Sequence, residues 1–295
     1  MQNNHISIRE DQPTVGRYVD LLNDVAFKII FGKPENKDLL IALLGVVIPE
    51  LKIKDIVSYL DKEKQGSDLD DKKSVFDVLC ETSDGEEILI EVQIKPQGYF
   101  RDRTLYYSFQ ELLWQHGKGD DDYSLKPIYV VSFLKFVMAH DKPDDEKFVW
   151  KYRLIEPQTG EVMTDALNFT FVEMPKFKKQ VDELANDEDD FYFCLLNMRS
   201  LKQLPERLAK NPVLTKLSAE AEFINMTKDQ KRKYMAKMTT ERDIKNQIAY
   251  GREEGRAEGE ANGIIKTARA MKANGITPDV IAKCTGLSAA EIAGL

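Results

Sequence analysis

The sequence predicts a mixed α/β fold: a sheet flanked by helices, followed by a helical C-terminal extension. Three observations predict it. Hydrophobic patterning over the first 140 residues runs helix, three strands, helix, strand, the order α-β-β-β-α-β. "KPIYVVSFLKFV" is a β-branched run of the kind buried among neighbouring strands. From about residue 178 onward the spacing turns helical and Lys/Arg-rich.

Residues 17–45 read as helix, dense in Leu21, Val25, Phe27, Ile29, Ile30 and Phe31 and therefore largely buried. "FGKPEN" interrupts it, because Gly32 and Pro34 disfavour continuation. "LKIKDIVSYL" alternates as a strand, and a hairpin follows in "SVFDVLCETSDGEEILIEVQIKP". "FRDRTLYYSFQELLWQH" has helical spacing, and residues 147–177 read as a further hairpin turning at "PQTGE". The expected organisation is a core over 1–140, its hairpin and helical extension over 141–200, a basic helical region over 201–250 and a tail over 251–295.

Apolar residues make up 42% and charged residues 31% of the chain, which excludes a disordered polymer. The longest apolar run, Leu39 to Ile48, is too short to span a bilayer, so no membrane partner is expected. The N-terminus carries no apolar h-region, and Cys80, Cys194 and Cys284 are scattered and odd in number. Reduced thiols and a cytoplasmic location are expected, without a zinc site. His5, His116 and His140 form no cluster and read as ordinary histidines. The net charge of −8 opposes non-specific DNA binding, but residues 199–256 carry 14 Lys/Arg against 8 Asp/Glu. Lys231, Arg232 and Lys233 mark that segment as a candidate DNA face.

The hairpin at residues 74–96 places carboxylates inside apolar strands. Burying an unpaired carboxylate costs on the order of several kcal/mol. Strand alternation puts Glu91 and Gln93 on one face. A three-residue loop, Ser83-Asp84-Gly85, pairs Thr82 with Glu86 and sets Asp77 opposite Glu91, with Gly85 where a left-handed residue is wanted. A two-residue loop would set Asp77 opposite Val92 instead. The three-residue loop is the expected one, since only it brings the polar groups together. Two convergent carboxylates, Asp77 and Glu91, with a backbone carbonyl at Val92, make a hard-oxygen site suited to Mg²⁺ or Mn²⁺. The competing reading leaves both carboxylates on an exposed face of an edge hairpin.

These residues resemble a known family. "FDVLC…EEILIEVQ" is similar to the D-(x)n-E-x-K/Q core of PD-(D/E)XK nucleases. With "LLNDVAFKIIFG" upstream and "YFRDRTLYYSFQELLWQ" downstream, residues 15–140 resemble the PD-(D/E)XK transposase-type family, also called the recombination-promoting nuclease family. The resemblance implies a restriction-endonuclease-like core and Mg²⁺- or Mn²⁺-dependent cleavage of DNA, linked to recombination or mobile elements. It implies that Asp77 and Glu91 hold metal and that Gln93 occupies the position of the usual catalytic lysine. It further implies that Asp24 is an acidic residue of the first core helix that supports the site. Arg101, Arg103, Tyr106 and Gln110 fall on the helix that helps to hold the site or the DNA. The other class left open is a catalytically inactive DNA-binding or interaction protein on the same fold, a reading that Gln93 and the acidic net charge favour.

The tail repeats glycine at Gly251, Gly255, Gly259 and Gly263. It reads either as a helical stripe for self-association, giving a homo-oligomer, or as a solvated segment. Its end, with Thr277-Pro278, Gly286 and the Ser288/Glu291 pair, resembles a short helix-turn-helix; the second helix has only about two turns. A packing or oligomerisation cap is weighed there against a DNA reader.

Overall fold

The computed structural model describes residues 16–60, 76–115 and 124–295. The acidic runs "DLDDKK" and "DDDY", His5 and His116 lie outside them. Among the described residues six strands form one sheet: β1 (Ile56–Tyr59), β2 (Val78–Thr82), β3 (Glu87–Gln93), β4 (Ile128–Leu134), β5 (Val149–Arg153) and β6 (Leu167–Glu173). Their order is β1-β2-β3-β4-β6-β5. β3, β4 and β6 run parallel, and the other neighbours are antiparallel. The parallel strands need a helical crossover; α3 (Phe100–Trp114) supplies it between β3 and β4.

The β2–β3 hairpin has the three-residue loop. Val78 pairs with Ile90 and Glu81 with Glu87. Thr82 N donates to the Glu86 carbonyl at 2.9 Å, and Gly85 sits at φ 94. Glycine reaches that left-handed conformation at no steric cost. The second hairpin, β5–β6, turns through "PQTGE" with Gly160 at φ 74, as its sequence suggests.

Two faces follow from alternation. Leu89, Val130, Leu167 and Leu79 point to the face covered by α3, where they pack with Leu112 and Tyr107. The opposite face carries Phe133, which meets Phe27 of α1 (Asp24–Phe31) at 5.7 Å between ring centroids. α2 (Lys37–Val47), with Leu39, Leu40, Leu43 and Leu44 fully buried, continues the helical layer. It packs on α4 (Asp187–Asn197) and α6 (Pro212–Glu220), with the short α5 (Glu206–Ala209) beside α6.

The first helix departs from expectation. It starts at Asp24 rather than near residue 17, because the Asn23 side chain caps Ala26 N at 3.2 Å. The segment before it is held extended by distant partners: Val19 N donates to the Ala221 carbonyl at 2.9 Å, and Tyr18 bridges to Glu222.

The chain divides into two compact units, Met1–Tyr234 and Met235–Leu295. The second holds α7 (Lys228–Ala273) from Met235 onward, α8 (Pro278–Thr285) and α9 (Ala289–Gly294). Ala268, Ile281 and Ile292 form its small core. Gly286 ends α8 at φ 72, and Ser288 with Glu291 forms the capping box at α9. The four spaced glycines lie within α7, where a Cβ would meet nothing within 4 Å. No helix among the described residues is long and apolar enough to cross a membrane.

Candidate active site

Continuing the β2–β3 register by one residue sets Asp77 across from Glu91. The ladder gives way there. Asp77 N donates to the Ile90 carbonyl at 2.9 Å, and Asp77 Oδ2 accepts from Val92 N at 2.6 Å. Even-numbered residues of β3 direct their backbone polar groups toward β2, so the Val92 carbonyl lies on the same strand edge as Asp77. The register thus sets Asp77 across from Glu91, with the Asp77 carboxylate bonded to the Val92 N–H.

Glu91 and Gln93 point to the α3 face and are 6% and 8% exposed. Arg103, on α3, reaches down to them. Its Nη2 donates to Glu91 Oε1 at 2.5 Å and to Gln93 Oε1 at 3.2 Å. The Gln93 Nε2 donates to the Lys95 carbonyl at 2.9 Å. Arg103, on the helix expected to help hold the site or the DNA, is a partner of the two site residues. α3 turns this side chain inward because Phe100, Thr104, Ser108 and Leu112 form its buried face.

The remaining residues singled out from sequence are placed differently. Asp24 opens α1, where its Oδ1 accepts from Val25 N at 2.7 Å. α1 packs on the sheet face opposite Glu91 and Gln93. Among the described residues no three carboxylate, histidine or cysteine side chains gather as a metal cluster, so Asp24 does not form one with Asp77 and Glu91. Arg101 donates to the Ala139 carbonyl at 2.8 Å and lies over the Tyr152 ring. Tyr106 is exposed and accepts from Gln110 Nε2 at 3.2 Å. Lys231 donates to the Ile224 carbonyl, while Arg232 and Lys233 both pair with Asp229. Those pairs reduce the net charge that this turn of α7 offers to a phosphate.

Unmet polar atoms mark the same place. Among the described residues, five buried side-chain N or O atoms lack a hydrogen-bond partner: Tyr59 Oη, Lys95 Nζ, Arg103 Nε, Ser132 Oγ and Tyr192 Oη. Arg103 bonds Glu91 and Gln93, Ser132 pairs with Glu91 in the β3–β4 register, and Lys95 follows Gln93 by two residues. Most buried polar groups are satisfied in folded proteins, and exceptions collect at functional sites. Ser132 and Lys95 were not singled out from sequence. A hydroxyl inside "YVVSFL" and a lysine two residues beyond "EVQ" were the available signals.

Glu173 supplies a contrast. It is fully buried on the same face, yet it accepts from Met138 N, Trp150 Nε1 and His140 Nε2 and pairs with Lys176. Burial pushes its carboxyl up, but the bonds from Lys176, His140 and Met138 bring it below its ordinary value. His140 is thus an ordinary core histidine. Glu91 has a single charged partner, and burial raises its carboxyl further than Arg103 lowers it. Of these two buried carboxylates, one is satisfied and the other under-satisfied.

A family model described as PD-(D/E)XK nuclease family transposase matches residues 21–251. Fold and match together define a PD-(D/E)XK nuclease-like protein. The chain belongs to the PD-(D/E)XK nuclease transposase family. No curated protein and no solved structure matches the chain.

The raised carboxyl of Glu91 fixes a pH dependence. It binds its proton more tightly folded than unfolded, so it costs no stability below the ordinary carboxyl range. Stability is then lost as pH rises through that range toward the higher folded value. Glu91→Gln cannot lose a proton. Urea unfolding without divalent ions should show wild type less stable relative to Glu91→Gln at about pH 7 than at about pH 4. An equal difference at both pH values would mean that Glu91 is not desolvated.

Proposed function

We propose that the chain is a divalent-metal-dependent DNA endonuclease, acting in recombination or on mobile elements. The observation that carries this reading is the under-satisfied Glu91 beside Asp77 and the Val92 carbonyl, in a chain of a nuclease family. The donor set is all oxygen, which fits Mg²⁺ or Mn²⁺. Asp77, Glu91 and the Val92 carbonyl would hold the ion. When bound, such an ion polarises a phosphoryl oxygen and lowers the pKa of a water.

The chain's own residues prepare the geometry. The Val92 N–H fixes the Asp77 carboxylate against β3. Arg103 orients Glu91 through Oε1, leaving Oε2 to face other donors. Gln93 is held at both ends of its amide, which leaves one lone pair and one N–H with which to orient a water. Asp24, at the start of α1 on the other sheet face, would act on the site through the sheet and not as a ligand. Arg101, Tyr106 and Gln110 on the outer part of α3, with Lys231, Arg232 and Lys233 on α7, are the proposed DNA contacts. A Cβ at any of the four α7 glycines would meet nothing within 4 Å among the described residues, so the row is open to self-association of the tail or to solvent. Cys80 and Cys194 are buried free thiols, each pushed up to about 12 by burial, which suits a reducing cytoplasm.

Purified wild type should nick or cut plasmid DNA with Mg²⁺ or Mn²⁺ and stop when the ion is chelated. Asp77→Ala should lose at least ~10²-fold in rate, the scale of removing one preorganised charge-stabilising group. Equal cleavage by both proteins would assign the activity to a contaminant.

A second reading is supported by the Glu91–Arg103 pair itself, which neutralises the carboxylate without an ion. On that reading the chain binds DNA or protein and does not cleave. Arg103→Met separates the two. Without metal it should lower Tm, because it leaves Glu91 buried and unpaired. Mn²⁺ should restore Tm if the carboxylates hold the ion. A Tm that stays low at saturating Mn²⁺ would favour the non-catalytic reading.

A further inference from the structure

Ser132 has no role in the scheme above. It lies inside β4, is fully buried, and its Oγ has no hydrogen-bond partner among the described residues. The parallel β3–β4 register sets Ser132 directly beside Glu91. Residues paired in this way project from the same face of the sheet, on strands about 4.8 Å apart. Glu91 is therefore bracketed, with Asp77 across from it on the β2 side and Ser132 on the β4 side.

The neighbouring hydroxyls are engaged elsewhere. On the buried face of α3, Thr104 Oγ1 donates to the Phe100 carbonyl at 2.9 Å and Ser108 Oγ to the Leu105 carbonyl at 2.8 Å. Ser132 has Glu91 on one flank and Phe171 of β6 on the other. Of those two side chains only the Glu91 carboxylate can accept a hydrogen bond. A carboxylate offers about four lone-pair sites, and Arg103 Nη2 takes one of them on Oε1. A buried hydroxyl with no partner costs stability, and an apolar residue inside "YVVSFL" would avoid that cost.

We propose that Ser132 is a positioning residue for Glu91. Its hydroxyl donates to the carboxylate from the β4 side and keeps the other oxygen turned toward Asp77 and the Val92 carbonyl. The contact closes by rotation of the Ser132 and Glu91 side chains, without a backbone change and without transfer of a proton. The proposal rests on the nuclease reading, in which Glu91 holds an ion. Ligating carboxylates are themselves hydrogen-bonded, and loss of such a partner typically weakens metal binding about 10–100-fold.

The test uses the full chain, as wild type, Ser132→Ala, Ser132→Thr and Asp77→Ala. Binding of Mn²⁺ alone is titrated by electron paramagnetic resonance, and Tm is measured in chelator. Ser132→Ala should bind Mn²⁺ at least about tenfold more weakly. Its Tm in chelator should be no lower than that of wild type, because the substitution removes an unpaired buried hydroxyl. Ser132→Thr keeps the hydroxyl on a residue that suits a strand, and should bind Mn²⁺ close to the wild-type affinity. Ser132→Ala binding as tightly as wild type, while Asp77→Ala fails to bind, would overturn this proposal and leave the metal site standing. Equal weakening in Ser132→Ala and Ser132→Thr, with a lowered Tm, would assign the effect to packing and overturn it as well. A wild type that binds no Mn²⁺ would overturn the metal-dependent nuclease reading and this proposal with it.

Discussion

The candidate site depends on the register of one hairpin. Gly85 at φ 94 lets the β2–β3 connection close in three residues. That count decides which side chain stands across from Glu91. A loop one residue shorter would present the other face of the strand, since the side-chain period of a strand is two. With the register set, β2 ends where the Asp77 carboxylate takes over the Val92 N–H. Regular pairing gives way at that point, where a side-chain carboxylate takes the place of a backbone carbonyl.

Around that edge the protein leaves polar groups incompletely satisfied while it satisfies others fully. Glu173 and Glu91 lie on the same sheet face at similar depth. One receives bonds from His140, Trp150, Met138 and Lys176; the other has Arg103. The carboxyl shifts, down for Glu173 and up for Glu91, follow from the donors each receives set against the cost of burial, which is the larger effect at Glu91. A fold that needed Glu91 only for stability would gain from a further donor or from an apolar replacement. Retaining an under-bonded acid beside Arg103 Nε and Ser132 Oγ costs stability that function can recover.

Much of this was legible in the sequence, for local reasons. Turn chemistry at "TSDGE" and strand alternation around "EEILIEVQ" are short-range signals, and they give the three-residue loop and the β2–β3 register. The β5–β6 hairpin was legible on the same grounds. What depended on distant contacts was not. The helix start slid to Asp24 because Val19 and Tyr18 are held by Ala221 and Glu222, some two hundred residues away in the chain. Arg103 was legible only as a residue of the helix that helps to hold the site or the DNA; its rotation toward Glu91 is set by Phe100 and Leu112 on the sheet. The burial of Lys95 Nζ comes from the packing of the segment after β3, and no spacing rule reports that.

The central claim is that Asp77, Glu91 and the Val92 carbonyl hold a divalent ion. Locating Mn²⁺ by anomalous scattering in crystals of the full chain tests it most directly. The account predicts one strong peak within coordination distance of Asp77, Glu91 and the Val92 carbonyl, with Arg103 kept on the other oxygen of Glu91. A crystal saturated with Mn²⁺ that shows no peak there, with Asp77 still on Val92 N and Arg103 still on Glu91, would contradict it.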